Sequence, residues 1–167
     1  MSLPNITAVI ITKNEELMIA NCVETLRWCK EILVIDSDSQ DQTPQIAERL
    51  GAKVVSTHAQ SFAERRNVGL EHVKTDWLFY IDADERVTPQ LAKEILVQIE
   101  TTTANALEMH RQNMMYGKFF LNGGWGNEFV QRIFRKQTLA GWKGDIHESP
   151  IYEGEIIRLH SSLFHLT

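Results

Sequence analysis

Five consecutive apolar residues, Trp77–Ile81, lead directly into Asp82, Ala83, Asp84 and Glu85. A run this apolar predicts a strand buried on both faces, as in a parallel sheet that is covered by helices. Carboxylates crowded at the end of such a strand repel each other and lose hydration. A divalent cation offsets both costs, and Mg²⁺ or Mn²⁺ is commonly shared between carboxylates and a substrate's phosphates. The segment therefore predicts a metal and diphosphate site, although an acidic loop open to water would also fit.

The composition of the chain excludes several classes of protein. Its 167 residues are enough for one domain with a substantial core. A net charge of -5 without a basic stripe argues against nucleic acid as a partner. The sequence has neither a membrane-spanning apolar run nor a signal-peptide pattern. The two cysteines, Cys22 and Cys29, fit neither a metal knuckle nor a disulfide scaffold, so we expect buried thiols in a cytoplasmic protein.

The first hundred residues alternate between strand patterns and helix patterns. Short apolar runs predict strands at Ile6–Thr12, Ile32–Ile35, Lys53–Ser56 and Trp77–Ile81. Apolar periodicity, prolines and glycines predict helices at Glu15–Trp28, Thr43–Leu50, Phe62–Val73 and Thr88–Glu100. Such alternation indicates right-handed βαβ units. The predicted fold class is therefore α/β, with a mostly parallel central sheet flanked by helices.

The pattern changes after residue 103, where glycine-rich segments replace the helices. In this part, strands are predicted at Ala106–Met109 and Phe129–Phe134, among many polar and aromatic residues. The sequence shows no linker and no internal repeat. We therefore expect one domain over residues 1–167, with a nucleotide-binding half at 1–103 and a substrate-facing half at 104–167.

Three of the predicted strands end in polar segments, which are Thr12–Glu15, Asp36–Ser39 and Asp82–Glu85. Ligands of parallel α/β sheets bind outside the carboxyl ends of the strands, so we expect these segments to meet at one binding edge. Each segment alone also has a purely structural interpretation. Asn14 would cap a helix, and the second segment would form a turn whose side chains bond their own backbone.

A pair of arginines, Arg65 and Arg66, precedes Asn67 in the third predicted helix. A guanidinium group binds phosphates or a base carbonyl, and an asparagine amide reads a base or a ribose. The alternative is a solvated helix face that pairs with Glu64.

Several other nucleotide and metal motifs are missing from the sequence. No G-x-G-x-x-G follows the first strand, and no G-x-x-x-x-G-K-[ST] loop is present. The acidic segment Asp36–Asp41 lacks the glycine and the final glutamate of a calcium-binding helix-loop-helix motif. A Rossmann dinucleotide site, a P-loop and a calcium loop are therefore disfavoured.

Segments in both halves together carry a resemblance to a known family. The first half contributes Thr7–Glu16, Val34–Ser37, Arg66–Gly69 and Ile81–Glu85. These resemble, in order, the signatures of family 2 glycosyltransferases, which are inverting enzymes of the GT-A fold. The second half contributes Arg111–Asn113, Tyr116–Gly117, Gly123–Trp125, Arg132–Arg135, Gly144 and His147–Glu148. That half is similar to the bacterial lipopolysaccharide-core β-glucosyltransferase branch of the family.

The chain departs from this branch after Gly-Gly-Trp. It has Gly126–Phe129 where the branch tends to carry a proline and an acid followed by an aromatic residue. Members of the branch also continue well past the position of Thr167. We therefore expect Thr167 to be a truncated end, with a missing part that could contact the inner face of the cytoplasmic membrane.

The resemblance implies a role for each matched residue on the donor side. Thr12 and Glu15 would line the nucleotide pocket, Asp36 would accept from the uracil or ribose, and Arg66 and Asn67 would support the nucleotide. Asp82 would face the ribose or the metal, Asp84 would bind the metal, and His165 would be a further metal ligand. The implied cofactor is Mg²⁺ or Mn²⁺. His165, on an apolar segment, would also fit a buried core histidine.

The resemblance also implies an acceptor site in residues 104–167. The acceptor hydroxyl loses a proton as it attacks, and a nearby carboxylate is the usual base. We expect Glu148 to be this base, with Asp145 and Glu128 as rivals. The expected acceptor-binding residues are Trp125, Glu128, Arg132 and His147. Trp125 and Trp142 would stack on sugar faces or belong to the core.

The resemblance implies an inverting glycosyltransferase that moves a sugar, expected to be a hexose from its UDP derivative, to a glycan or glycolipid acceptor. Lipopolysaccharide or cell-envelope polysaccharide synthesis would be its setting. One alternative is a nucleotidyltransferase, although Thr12–Glu15 is not the basic, glycine-rich loop that such enzymes use. A second is a non-catalytic nucleotide-binding remnant. A haloacid-type phosphatase fits poorly, because Asp84 is followed by Glu85 and Arg86.

Overall fold

A computed structural model describes residues 4–115, 118–119, 128–144 and 148–166. The helices in these ranges are α1 (Ile19–Glu24), α2 (Thr43–Arg49), α3 (Phe62–His72) and α4 (Pro89–Thr101), and a 3-10 turn covers Lys136–Thr138. The strands are β1 (Ile6–Thr12), β2 (Glu31–Asp36), β3 (Lys53–Ser56), β4 (Trp77–Asp82), β5 (Glu85–Val87), β6 (Ala106–Met115), β7 (Lys118–Phe119), β8 (Glu128–Arg135), β9 (Leu139–Lys143), β10 (Ser149–Tyr152) and β11 (Ile156–Leu166).

Within the described ranges, one sheet of nine strands forms the centre of the molecule. Its order is β3-β2-β1-β4-β8-β6-β11-β5, with β7 paired to β6. The strands β3, β2, β1 and β4 run parallel to one another, and β6 runs parallel to β11. Strand β8 is antiparallel to both β4 and β6, and so joins the two parallel groups. The predicted mostly parallel sheet with flanking helices is confirmed.

The core lies on both faces of this sheet. Side chains alternate along each strand, so Phe79 faces the layer that contains α1 and α4, whereas Tyr80 faces α3 and β9. The whole run Trp77–Ile81 is buried, as its apolarity predicts. Gly69 of α3 lies so close to β1 that a Cβ atom there would come within 2.5 Å of Val9 Cγ1. Helix α3 therefore packs tightly on the strands that end at the site.

The predicted helix at Glu15–Trp28 is too long, because the structure has α1 only at Ile19–Glu24. Residues 16–18 form a turn before α1, and the backbone N–H groups of Glu15 and Glu16 donate to the side chains of Thr43, at the start of α2, and Asp41. Both cysteines are buried free thiols, as expected, and burial raises the pKa of each. In the described part of the chain, no helix is long and apolar enough to cross a membrane.

Strand β11 is the element that completes the binding edge. It pairs in parallel with β6 and in antiparallel fashion with β5, which places His165 opposite both Asn113 and Glu85. The backbone N–H of Leu166 donates to the carbonyl oxygen of Asp84 at 2.9 Å. The C-terminal strand therefore brings a histidine beside the acidic segment that follows β4, 81 residues earlier in the chain.

Candidate active site

A cavity of about 250 Å³, which we call the first cavity, opens at the carboxyl ends of β1 and β4. Its lining brings together five residues that the resemblance assigns to nucleotide or metal: Thr12, Glu15, Asp82, Asp84 and His165. The other lining residues are Ile11, Lys13, Phe62, Arg65 and Ala83. The strand ends after β1 and β4 therefore do converge at one edge, as predicted.

The polar groups of Thr12 and Glu15 are available to a ligand of this cavity. Thr12 is 4% exposed, and its hydroxyl has no hydrogen-bond partner among the described residues. Burial raises the pKa of Glu15, and the nearby carboxylates of Asp84 and Asp41 raise it further. A bound cation or a donor hydroxyl would relieve the crowding of these negative charges.

The loops that follow β1 and β2 are joined side by side. The N–H of Asn14 donates to Ser39 Oγ at 2.8 Å, and the N–H of Gln40 donates to Asn14 Oδ1 at 2.7 Å. Asn14 and Asp38 both have φ of +56°, a left-handed conformation that these residue types tolerate better than most. The helix-cap interpretation of Asn14 is wrong, because Met18 precedes the first turn of α1. The asparagine instead fixes the shape of the wall that carries Thr12 and Glu15.

The carboxylate of Asp36 is hydrogen-bonded within the turn that Asp36 begins. Its Oδ1 accepts from the Ser39 hydroxyl at 2.6 Å, and its Oδ2 accepts from the Ser39 N–H at 3.0 Å. The structural interpretation of this segment is thereby confirmed. Asp36 is 3% exposed and is not among the residues that line the first cavity. Its direct contact with a uracil or ribose stays a prediction.

Asp84 and His165 form a pair at the first cavity. The Nε2 atom of His165 lies 3.2 Å from Asp84 Oδ2, and its Nδ1 lies 2.7 Å from Asn113 Oδ1. The hydrogen bond to Asp84 raises the pKa of His165. The other carboxylate oxygen, Asp84 Oδ1, is buried and has no partner among the described residues. The alternative of a core histidine is therefore not what the structure shows, because His165 lines the cavity.

This pair fits a divalent cation in part. The described residues contain no group of three His, Cys, Asp or Glu side chains that could hold a metal. A carboxylate with an unused oxygen and an adjacent imidazole nevertheless match the ligand types of Mn²⁺, and Mg²⁺ is normally completed by water and substrate phosphates. Asp84 and His165 are therefore the residues that would hold the ion, together with the diphosphate of a substrate.

Asp82 has a different environment from Asp84. Its Oδ2 accepts from Arg132 Nη2 at 2.7 Å, and its Oδ1 lies 3.4 Å from Arg66 Nη2. Burial raises the pKa of Asp82, but the two guanidinium groups outweigh burial and hold the pKa below its usual range. Both carboxylate oxygens thus face cations. This arrangement favours hydrogen bonding to a ribose over metal binding, and the assignment of Asp82 to the metal stays a prediction.

Arg132 was predicted to bind the acceptor, yet its guanidinium serves a buried network. The same Nη2 atom that contacts Asp82 also donates to Glu85 Oε1 at 2.6 Å. Glu85 is completely buried, and its Oε2 accepts from the N–H of Asp82 at 2.9 Å. Burial raises the pKa of Glu85 despite the nearby Arg132. The clearest role of Arg132 is therefore to hold the two acidic side chains in place.

A second cavity, of about 570 Å³, adjoins the first on the side of β8 and β9. It is lined by Arg66, Asp82, Arg111, Glu128, Phe129, Val130, Gln131, Arg132, Trp142, Glu148, Ser149 and Pro150. Asp82 lines both cavities. The candidate bases Glu148 and Glu128 lie here, whereas Asp145, His147 and Trp125 lie outside the described residues.

The two candidate bases in the second cavity have different partners. Glu148, whose side chain is 22% exposed, accepts a hydrogen bond from Arg66 Nη1. Glu128, whose side chain is 56% exposed, accepts from Arg111 Nη2 at 2.7 Å. Trp142 belongs to the core, since it packs edge-on against Tyr80 with ring centres 5.2 Å apart, although it also borders this cavity.

Arg66 and Asn67 are both held by contacts within the protein. Arg66 is 3% exposed and faces Asp82 and Glu148, so the alternative of a solvated pair with Glu64 is wrong. Glu64 instead caps the start of α3. The Asn67 amide donates to the Trp142 carbonyl at 3.0 Å and accepts from the Trp142 N–H at 2.7 Å. Asn67 therefore fastens β9 to α3, and its contact with a nucleotide stays a prediction.

Comparison with known proteins identifies the family. The sequence matches the family described as glycosyl transferase family 2 over residues 7–150. The chain belongs to this family. Among its glycosyl transferase family 2 relatives, the lipopolysaccharide core biosynthesis glycosyltransferase LpsC of Rhizobium meliloti is 31% identical over 162 residues, which cover 90% of this chain and 58% of LpsC. The resemblance seen in the sequence is confirmed.

Two solved structures show the same architecture. S. aureus TarS 1-349 in complex with UDP-GlcNAc has a TM-score of 0.73 and 17% identity, covering 97% of this chain and 58% of TarS. Glucosyl-3-phosphoglycerate synthase from Mycobacterium tuberculosis, in complex with Mn²⁺, UDP-glucose and phosphoglyceric acid, has a TM-score of 0.58 and 22% identity, covering 65% and 44%. The family 2 chain described here therefore has the predicted GT-A fold. It spans less than two thirds of the length of LpsC and of both these proteins.

Sequence reasoning missed several residues of the site. Phe62 is 51% exposed at the first cavity, and the capping box that Ser61 and Glu64 form is the one local signal that places it at a helix start. No sequence pattern near Glu85 or Arg132 predicts the contact between them, because they are 47 residues apart.

Proposed function

We propose that this family 2 chain carries the donor site and the base of an inverting hexosyltransferase. The enzyme would transfer a hexose from a UDP-hexose to a glycan or glycolipid acceptor, in the synthesis of lipopolysaccharide or another envelope polysaccharide. One observation carries the proposal: the first cavity, with Asp84 and His165, meets the second cavity, with Glu148, at the shared residue Asp82. A donor and an acceptor need such adjoining sites.

The first cavity suits a nucleoside diphosphate. Lys13 and Arg65 supply positive charge to its lining, and Phe62 supplies an aromatic surface. Asp84 and His165 would hold Mg²⁺ or Mn²⁺, which would stabilise the negative charge that develops on a leaving diphosphate. The UDP-sugar complexes of TarS and of the mycobacterial synthase support UDP as the nucleotide.

The second cavity suits the acceptor. An acceptor hydroxyl that attacks the anomeric carbon must lose its proton, and Glu148 is a carboxylate on that side of Asp82. In an inverting reaction the attack comes from the side opposite the leaving group, which agrees with a base outside the first cavity. Glu128 is a weaker candidate, since its side chain is 56% exposed, against 22% for Glu148. Asp145 stays a rival, and the cytoplasmic location stays a prediction.

The test is to incubate the protein with a panel of UDP-hexoses, Mn²⁺ and envelope glycan acceptors. The proposal expects release of UDP and a product whose anomeric configuration, read by NMR, is opposite to that of the donor. We expect Glu148→Gln to bind donor normally and to lose roughly 10²–10⁴-fold in turnover, the usual contribution of a general base. Release of pyrophosphate from UTP and a sugar phosphate would instead identify a nucleotidyltransferase. Donor binding without sugar transfer to any acceptor would indicate a non-catalytic nucleotide-binding remnant.

A further inference from the structure

Two consecutive arginines of α3 face different cavities. Arg65 lines the first cavity, and Arg66 lines the second. Neighbouring residues of an α-helix point about 100° apart, which the helix period of 3.6 residues requires. A pair of adjacent arginines at the boundary between two sites can therefore serve both of them, one residue for each.

The guanidinium of Arg66 is bound to residues that line the second cavity. Its Nη1 donates to Glu148 Oε1, and its Nη2 lies 3.4 Å from Asp82 Oδ1. Its guanidinium lies 4.7 Å from the centre of the Trp142 ring. The residue is 3% exposed, so it has little freedom to leave these partners. A diphosphate in the first cavity would have to take Arg66 away from two carboxylates that have lost most of their water.

The backbone around Arg66 is fixed as well. The Tyr80 hydroxyl donates to the Arg66 carbonyl at 2.9 Å from the buried face of β4. The next residue, Asn67, makes its two hydrogen bonds to the backbone of Trp142. The backbone at Arg66 is thus fixed by hydrogen bonds to β4, through Tyr80, and to β9, through Asn67 and Trp142. A side chain fixed in this way sets the position of whatever it binds, which here is the Glu148 carboxylate.

Arg65 has the opposite surroundings. Its Nε and Nη2 donate to the carbonyls of Ala59 and Gln60 at 3.3 and 3.2 Å, which orient the guanidinium without neutralising it. The guanidinium lies 5.3 Å from the centre of the half-exposed Phe62 ring. The backbone N–H groups of Ser61 and Gln60 lower the pKa of Glu64, and the nearby charge of Arg65 lowers it further. In the described part of the chain, however, no carboxylate lies within ion-pair distance of Arg65. Its charge is therefore available to a ligand in the first cavity.

We infer that the two arginines have separate roles in the site: Arg65 binds the diphosphate of the donor, and Arg66, which also faces Asp82, positions the Glu148 carboxylate. This inference rests on the proposed function. It reverses the expectation from the family resemblance, in which Arg66 supports the nucleotide. Arg66 is then a positioning residue that acts through Glu148, and Arg65 is a donor-binding residue that the resemblance does not point to.

The first test compares UDP binding by Arg65→Met and Arg66→Met. Titration calorimetry with UDP and Mn²⁺ should give Arg65→Met a dissociation constant roughly ten- to a hundredfold higher than that of wild type, the value of one charge-assisted hydrogen bond. Arg66→Met should lose clearly less UDP affinity than Arg65→Met, because Arg66 would reach the nucleotide only through Asp82. Each variant is the matched control of the other. A loss of UDP affinity in Arg66→Met that equals or exceeds the loss in Arg65→Met would overturn the inference.

The second test asks whether Arg66 acts through Glu148. The UDP-hexose is chosen as the one that raises the melting temperature of the protein most. Because no acceptor is known, the measured rate is the slow hydrolysis of this UDP-hexose by water. Arg66→Met should lower this rate by at least tenfold in the wild-type background and change it little in the Glu148→Gln background, because the two residues form one unit. Equal losses in both backgrounds would contradict the positioning role.

Folding and the proposed function are controlled separately. If Arg66→Met does not melt cooperatively, Arg66→Lys replaces it in both tests, since lysine keeps the charge and loses the two-pronged contact. The expected result for Arg66→Lys is again a smaller loss of UDP affinity than in Arg65→Met, together with a lower rate. If wild-type protein does not bind UDP at all, the proposed function fails. If wild type binds UDP and Arg65→Met binds equally well, only the division of labour fails.

Discussion

Two aspartates that are two residues apart have acquired opposite electrostatic environments. Asp82 faces two guanidinium groups, whereas Asp84 faces an imidazole and keeps one carboxylate oxygen without a partner among the described residues. An isolated Asp-x-Asp pattern does not distinguish these roles. The difference arises from Arg132, which lies 50 residues from Asp82, and from His165, which lies 81 residues from Asp84.

Arg132→Met should destabilise the protein strongly. The variant leaves the completely buried Glu85 without its main partner, and removal of one member of a buried ion pair costs about 3–5 kcal/mol. Urea unfolding followed by circular dichroism measures the loss. The control is Arg132→Met combined with Glu85→Gln, which should recover a large part of the stability because no buried charge is left unpaired. A single variant within about 1 kcal/mol of wild type would mean that the network does not hold the site together.

At the scale of elements, the strands and helices of the first half were largely predictable. The strands β1 to β4 are short apolar runs, and Ser61 and Thr88 mark the starts of α3 and α4 with side-chain caps that the structure contains. The start of α1 was not predictable, because residues 16–18 form a turn, and the segment just before it is hydrogen-bonded to side chains 25 or more residues away. Periodicity reports which face of a segment is buried, and it carries no information on such distant partners.

The strands β9, β10 and β11 escaped prediction for a related reason. Buried and less buried positions alternate over residues 158–163 of β11, but one of the buried residues is Ser161, and the register with β6 shifts between Arg158 and Ser162. Glu94 of α4 stabilises this irregularity, because its carboxylate accepts from the N–H groups of His160 and Ser161 at 2.7 and 2.9 Å. A contact between a helix and a shifted strand leaves no repeat in the sequence.

Glu94→Gln should lower stability in a pH-dependent way. Burial raises the pKa of Glu94, but the N–H groups of His160 and Ser161 outweigh burial and lower the pKa in the folded state. The ionised carboxylate therefore stabilises the fold above the unfolded pKa of about 4.3, and this contribution is lost as the pH falls through the lowered pKa.

We expect the variant to be about 1–3 kcal/mol less stable than wild type at pH 7, and the difference to shrink below about pH 4. Urea unfolding at several pH values measures the free energy of unfolding of each protein. The control variant is Glu100→Gln, because Glu100 is an exposed residue of the same helix. A gap between Glu94→Gln and wild type that is constant from pH 3 to about 8 would show that ionisation of Glu94 does not contribute.

At the scale of the whole molecule, two adjoining cavities lie along one edge of a GT-A sheet. The fold class and the convergence of the ends of β1 and β4 followed from the sequence, because parallel strands direct their carboxyl ends to a common edge. The division into two cavities did not follow, since it depends on β9 packing against α3 through Arg66, Asn67 and Trp142. Contacts between residues far apart in the sequence therefore separate the proposed donor side from the proposed acceptor side.

We propose that the protein binds UDP through a metal held by Asp84. Titration calorimetry measures the affinity for UDP with Mn²⁺ and with a chelator, in wild type, in Asp84→Asn and in Asp76→Asn. Asp76→Asn is the control, because Asp76 is an exposed aspartate just before the start of β4, at the end opposite Asp84. We predict that Mn²⁺ tightens UDP binding at least about tenfold in wild type and in Asp76→Asn, and has no effect in Asp84→Asn. Equal UDP affinity of wild type with Mn²⁺ and with chelator, or a full Mn²⁺ effect in Asp84→Asn, would show that UDP does not bind through a metal at Asp84.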